Sequence, residues 1–365
     1  MSNKKTNLPF NPHEKPQGMS DEEWRGIDSL NRLDLKTTAI KAFHTRQERA
    51  TEEEAKRPAE PPAKAKPPKV GYVARELVLL NLPCRKPIGD VWARKNGDLS
   101  LIVQGGYRVD QKTGKPINIG VPYGATARLV LFYIMSAAAF SETRRIYLGN
   151  SFDAFLKTIG ASPERRGVKT GARAVLNQLE RLINASFKIQ LCTENEDFNV
   201  ERIKPLPLIS DSEIWFSKKK GDNTQKGLWS SYVEISEELF QSLKKNPIPI
   251  DWDVVLKIRK NPTALDFYAL LTYESAKAQA TGKGRFIPWA SLRDQMGNEA
   301  TRLNNFSAKA RTAIKEIQKY YKGLKVSFIK EGGIRIEAGS TPSVPSNSPL
   351  KRPPAAKVVT TPPQR

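Results

Sequence analysis

Between Gly284 and Glu337 the spacing of hydrophobic positions changes from strand-like to helical and back. Arg285-Phe286-Ile287-Pro288-Trp289 is a short run bounded by turn residues. Pro288 cannot donate to a ladder, so the run reads as an edge strand. Residues 290–296 follow as two helical turns that stop at Gly297, and Asn304 or Asn305 is expected to cap the next helix. There Phe306, Ala310, Ala313, Ile314, Ile317 and Tyr321 recur at helical spacing and make one apolar face. The other side carries Ser307, Lys309, Arg311, Thr312, Lys315, Gln318 and Lys319. Residues 324–329 and 334–337 then flank Lys330-Glu331-Gly332-Gly333, the pattern of a β-hairpin with a glycine-rich tip. Two helices, the second basic, followed by a hairpin outline a winged helix-turn-helix. In that motif the second helix enters a major groove and the hairpin tip follows the backbone.

A solvated amphipathic helix beside an ordinary hairpin would give the same local pattern. Repetition distinguishes the two. About 137 residues upstream, residues 144–149 match the strand, 151–159 the short helix and 169–183 the basic helix. The apolar face of this helix is Ala172, Val175, Leu176, Leu179, Leu182 and Ile183, and its polar side carries Thr170, Arg173, Asn177, Gln178 and Arg181. Phe187, Ile189 and Leu191 alternate as Leu324, Val326 and Phe328 do. A long apolar helix precedes each unit, at 126–140 and at 264–280. Five elements in one order at nearly one offset point to an internal duplication.

The rest of the chain frames these units. Residues 1–70 are polar and end in a Pro/Ala/Lys linker, so a flexible region with at most fragile helices is expected, one of them capped at Ser20-Asp21-Glu22-Glu23. The fold is expected to begin near Val70, with strands at 77–80 and 99–103 and turns at Gly105-Gly106 and Lys112-Thr113-Gly114-Lys115. Further strands are expected at 186–193, 198–205 and 213–217, and Lys218-Lys219-Lys220 opens a basic loop that is either a wing tip or a linker. Tyr232-Val233-Glu234-Ile235 opens the second domain, followed by a helix over 236–245 and a break at 246–250. Asp251 and Pro262 mark two further helix starts. The expected fold class is α+β: two tandem winged helix-turn-helix domains, at 71–228 and 229–338. The N-terminal tail and residues 339–365, which are rich in Ser, Thr, Pro and Lys, are expected to be disordered.

Charge sharpens this picture. The 365-residue chain carries +22, of which residues 1–70 hold +3 and residues 339–365 hold +4, leaving +15 on the folded body. A basic body implies a polyanionic partner, nucleic acid before membrane. No apolar run reaches the roughly 18 residues of a membrane span, and the N-terminus lacks the apolar core of a signal peptide. Cys84 and Cys192 are far apart and outside any CxxC pattern, which fits buried, reduced thiols. Both histidines, His13 and His44, lie in the N-terminal segment. The body therefore has no histidine for a nucleophilic triad or a Cys/His zinc site, and no metal or other cofactor is expected. Gly105-Gly106, Gly282-Lys283-Gly284 and Gly167-Val168-Lys169-Thr170 all fail the phosphate-loop pattern of an ATPase. A metal-dependent nuclease would have to use Asp211 and Glu213 near Lys218, but their spacing does not bring two carboxylates and a lysine to one strand end. The chain is therefore read as a non-enzyme.

Three stretches, in order, carry a resemblance. They are Pro122-Tyr123-Gly124-Ala125 before a helix containing Arg128, Pro247-Ile248-Pro249-Ile250-Asp251 leading to Pro262-Thr263-Ala264-Leu265-Asp266-Phe267-Tyr268, and Ile287-Pro288-Trp289-Ala290-Ser291-Leu292 followed by Gln295 and Gly297. Together they resemble the RepA-type replication initiators of bacterial plasmids, over residues 121–337. The family's glycine-rich turn is replaced here by Gly167-Val168-Lys169-Thr170-Gly171. The resemblance implies a cytoplasmic bacterial protein that binds direct repeats, called iterons, at a plasmid origin. It further implies help in melting adjacent DNA, recruitment of the host replication initiator and replicative helicase, and a homodimer that dissociates to origin-binding monomers. A transcription regulator on the same fold, an autorepressor without initiator activity, is the alternative, and an origin-unwinding assay separates the two.

Within a two-headed duplex DNA binder, arginine can grip guanine and asparagine adenine in the major groove. Arg311, Lys315 and Asn305 are the base-reading candidates in the second domain, with Arg173 and Asn177 in the first. Arg165, Arg166, Lys169, Lys309 and Lys319 are expected on phosphates. Thr170, Arg181, Asn304, Ser307 and Thr312 complete the expected DNA-binding set.

Overall fold

The computed structural model describes residues 15–16, 19–29, 37–44, 70–79, 81–148, 152–162, 171–194, 199–213, 231–296, 302–330 and 332–344. The chain divides into two units, Met1–Pro62 and Ala63–Arg365. In the first, α1 (Asp21–Asp28) starts at the expected capping box, with the Glu23 amide donating to Ser20 Oγ at 3.2 Å and the Ser20 amide to Glu23 Oε2 at 3.4 Å. Helical residues 37–44 form α2. No residue of α1 is buried, so its stability is local.

The second unit is mixed α and β. Two helices fill its centre: α4 (Gly124–Phe140) and α9 (Pro262–Thr281). Each is buried nearly all round, from Ala127 to Phe132 in α4 and from Ala264 to Thr272 in α9, as a helix without a polar face must be. Asn261 caps α9 by accepting from the Ala264 amide at 3.2 Å, Pro262 takes the first turn, and Gly282, at φ +66°, ends the helix in a left-handed conformation.

Around each central helix the chain follows one order. After α4 come β6 (Arg145–Tyr147), α5 (Phe152–Thr158) and α6 (Ala172–Asn184). After α9 come β12 (Arg285–Pro288), α10 (Trp289–Met296), α11 (Leu303–Gln318), β13 (Val326–Ile329) and β14 (Gly333–Ile336). The later sheet has the order β12-β14-β13, with β12 on its edge, where Pro288 removes no ladder donor. The earlier sheet has the matching order β6-β10-β9, built from β9 (Ile209–Glu213) and β10 (Tyr232–Ile235).

That pairing corrects the strand alignment read from sequence. Residues 187–191 lie in β7 (Ser186–Glu194), which does not pair with β6. Instead β7 joins β2 (Val91–Asn96), β3 (Leu99–Gln104) and β8 (Asn199–Pro205) in a four-stranded sheet of order β2-β3-β7-β8. The counterpart of β14 is β10, where the sequence pattern suggests the opening of a second domain. Glu213 stands opposite Tyr232, so residues 214–230 connect two adjacent antiparallel strands. That connection includes Lys218-Lys219-Lys220 and, beyond Glu213, the rest of the strand expected at 213–217, which lie outside the described residues.

Other contacts also cross the expected boundary at residues 228 and 229. β1 (Val70–Val73) pairs with β11 (Ile248–Asp251), where the sequence suggested only a break. Tyr72 stands opposite Pro249, and its carbonyl accepts from Ser136 Oγ at 3.3 Å while its amide donates to the same oxygen at 2.8 Å, so this position asks no donor of the proline. Residues 77–80 were expected as a strand, yet Arg75–Leu79 is the helix α3, with Leu77 and Val78 amides donating to the Ala74 carbonyl. An apolar run this short does not distinguish the two by period. The helix α7 (Glu237–Lys245) has Ser236 as N-cap, and α8 (Trp252–Ile258) has Asp251.

The disorder expected from residue 339 does not begin there. Residues 339–344 pack back onto the fold: Tyr321 Oη donates to the Thr341 carbonyl at 2.7 Å, the Lys325 amide donates to Ser340 Oγ at 3.0 Å, and Val344 is buried with Val70, Tyr72, Ala139 and Phe140.

Candidate nucleic-acid interface

Helix α11 buries Phe306, Ala310, Ala313, Ile314 and Ile317, the stripe expected from its period. Its N-cap is Arg302, one turn earlier than the asparagines suggested, and no side chain closes the cap. Asn304 and Asn305 are therefore inside the first turn, both exposed. Lys309, Thr312, Lys315 and Lys319 are exposed along the same helix. Two of the hydroxyls are turned inward: Ser307 Oγ donates to the Asn304 carbonyl at 3.0 Å and Thr312 Oγ1 to that of Ala308 at 3.1 Å.

Arg311 departs from expectation. It is half-buried, and its guanidinium lies 5.1 Å from the ring centroids of both Trp289 and Phe328. Those rings stack at 6.3 Å with 17° between their planes. Arg311 thus ties α11 to α10 and to β13, at the border of the exposed face. Gln318, also read as polar surface, is half-buried and reaches the Val326 carbonyl at 3.4 Å. On the adjoining hairpin Lys330 and Arg335 are exposed, cations that the sequence reading did not single out.

Helix α6 starts at Gly171, which has φ +80°, a backbone conformation suited to glycine. Arg165, Arg166, Lys169 and Thr170 lie outside the described residues. Arg173 and Asn177 are exposed, as expected. Asn177 Oδ1 accepts from Arg181 Nε at 2.9 Å. Arg181 is half-buried, donates from Nη1 to the Val121 carbonyl at 3.2 Å, and lies over the Tyr123 ring at 5.3 Å. Gln178, assigned to the polar side by its residue type, is buried and accepts from the Tyr123 amide at 2.9 Å. So Arg181 and Gln178 hold α6 against the turn before α4, and Arg173 and Asn177 remain as its outward groups. The structure places Arg173 and Asn177 on one element and Asn304, Asn305, Lys309, Thr312 and Lys315 on another. It draws Arg181 and Arg311 partly into the packing.

The three sequence motifs serve the frame. Arg128, on α4, donates from Nε to Asp266 Oδ1 and from Nη2 to Asp266 Oδ2, each at 2.6 Å. Its remaining N–H groups reach the carbonyls of Leu82 (2.6 Å), Pro83 (3.1 Å) and Gly124 (2.9 Å). Arg128 is 2% exposed and Asp266 5%. Burial alone would lower the proton affinity of the guanidinium, but the facing carboxylate outweighs it, and Arg128 stays charged. This fork joins the two central helices. Tyr268, from the same motif, donates to the Asp251 carbonyl at 3.3 Å and accepts from the Asp251 amide at 2.8 Å.

Among the described residues no cluster of His, Cys, Asp and Glu has the arrangement of a metal site, and no helix is long and apolar enough to cross a membrane. Cys84 and Cys192 are half-buried and outside any disulfide among the described residues. No curated protein matches the chain. The crystal structure of selenomethionine derivatives of domains 2 and 3 of RctB is similar over 72% of this chain and 95% of that one, with 9% identity and a TM-score of 0.45. Residues 121–290 match the family model described as plasmid encoded RepA protein. That stretch runs from the turn before α4 to the start of α10 and contains both partners of the Arg128–Asp266 fork. Over residues 121–290, therefore, this chain carries the sequence pattern of the plasmid encoded RepA protein family, the family that its motifs resemble.

Proposed function

We propose that this protein is a plasmid replication initiator whose two winged helix-turn-helix units read duplex DNA at direct repeats in an origin. The observation that carries the reading is the repeated unit: helix, strand, helix and basic helix, then two strands that complete a three-stranded sheet with the last strand central, β7 and β8 intervening in the first unit. In each unit the basic helix buries one stripe and leaves polar residues outward, the condition for entering a groove without disturbing the core. Asn304, Asn305 and Lys315 on α11, and Arg173 and Asn177 on α6, are the groups for base edges. Lys309 and Lys319 serve phosphates, as do Arg165, Arg166, Lys169 and Thr170 by their position in the chain. Arg181 and Arg311 orient the reading helices, and Ser307 and Thr312 contribute from α11. Melting of adjacent DNA, contact with the host initiator and helicase, and a dimer that releases monomers belong to this reading. No covalent chemistry does.

The test is electrophoretic binding and footprinting on DNA flanking the protein's own coding region. Protection of repeated sites, with several-fold weaker binding to scrambled duplex, is expected. Equal binding to both would overturn the reading.

A further inference from the structure

Beside α6 stands a hairpin that the reading above does not use. Its strands are β4 (Gly106–Val109) and β5 (Pro116–Gly120). The base is seated directly on the C-terminal half of the helix. A Cβ on Gly106 would lie 1.9 Å from the Asn184 carbonyl oxygen, and one on Gly120, at φ +78°, would lie 2.6 Å from Arg181 Nη1. Arg108 Nε pairs with Glu180 Oε1 at 3.1 Å. Asp90 clamps both strands, accepting from Tyr107 Oη at 2.8 Å and from Asn118 Nδ2 at 2.6 Å.

The tip is equally fixed. Asp110 Oδ1 accepts from the amides of Lys112 (2.8 Å) and Thr113 (3.2 Å), its carbonyl accepts from Gly114 (2.8 Å), and its amide donates to the Lys115 carbonyl (2.9 Å). The one carboxylate of the tip is thus engaged by backbone. Lys112 and Lys115 are exposed, and among the described residues neither makes an ion pair. At about 3.3 Å per residue, the tip reaches roughly 13–16 Å beyond Gly106. A major groove is about 12 Å wide. An arm of that length is long enough to span from a helix in the groove to the flanking backbone.

We propose that β4–β5 is a further DNA-binding arm, whose Lys112 and Lys115 grip phosphates of the duplex flanking the groove that α6 enters. This rests on the reading of α6 as a groove-binding helix. The test compares full-length wild type, the double variant Lys112→Ala/Lys115→Ala and the conservative Lys112→Arg/Lys115→Arg, with thermal melting as the folding control. Each is titrated with salt on specific and scrambled duplexes and footprinted with hydroxyl radicals. The alanine variant should melt as wild type does, bind both duplexes more weakly by the same factor, and lower the salt slope by about two units, about one per lysine. Its footprint should shorten at one end only, and the arginine variant should keep slope and footprint. A wild-type slope and footprint in the alanine variant would overturn the arm while leaving the reading of α6 intact. Wild-type protein with no preference for specific duplex would overturn both.

Discussion

Two arginines show how position decides what one residue type does. Arg128 is enclosed, and its fork with Asp266 is satisfied on every side. Arg128→Met would leave the carboxylate buried without its partner, at a cost of about 3–5 kcal/mol, measured by urea unfolding. Arg128→Met/Asp266→Leu should recover most of that loss, because no unpaired charge remains. Arg311 lies at the rim, packed on Trp289 and Phe328. The sequence reading has it free of the core, so that truncation would leave folding nearly unchanged. Its contacts with two rings instead imply that Arg311→Ala lowers stability by about 0.5–2 kcal/mol. Lys315→Ala, on an exposed side chain one turn further along, should leave the melting temperature unchanged and weaken specific binding selectively. Equal melting of the two variants would refute this division of roles. Lys319→Ala should weaken binding to all duplexes alike and lower the salt slope by about one unit.

At the scale of elements, what was legible depended on whether the information was local. The stripes Phe306-Ala310-Ala313-Ile314-Ile317 and Ala172-Val175-Leu179-Leu182 announce α11 and α6 because helical period is written within a few turns. Caps at Ser20, Ser236 and Asp251 are local too. Strand partnership is not. Alternation in Phe187, Ile189 and Leu191 announces a strand but not its sheet, and β7 pairs with β3 rather than with β6. The partner of β6 is β10, separated from it by most of one unit. Side-chain character likewise suggests that Gln178 faces water, whereas it turns inward to accept from the Tyr123 amide. Of the candidate site, the helices and their outward residues were legible. Which arginines also brace the frame depends on contacts distant in sequence. Residues 339–344 make the same point, since a Ser/Thr/Pro composition conceals the docking of Val344. A fragment of residues 70–344 should therefore fold and bind DNA, and 70–338 should be measurably less stable in thermal melts. Equal melting of the two fragments would show that the Tyr321–Thr341 and Val344 contacts contribute nothing.

For the molecule as a whole, the two repeated units are not beads on a string. The β1–β11 pairing and the Arg128–Asp266 fork bind them through one core. A shared core would hold α6 and α11 at one fixed separation, so the pair should read a site of fixed spacing without symmetric dimerisation. Under the proposed function, the basic body would supply affinity to the backbone and the outward groups of the two helices would supply sequence. The most direct measurement is a hydroxyl-radical footprint of the full-length protein, as a monomer, on the DNA flanking its own coding region. The account predicts two protected patches on one face of the duplex, about one helical turn or 10–10.5 bp apart, at each repeat. A single patch, or protection without sequence preference, would contradict it.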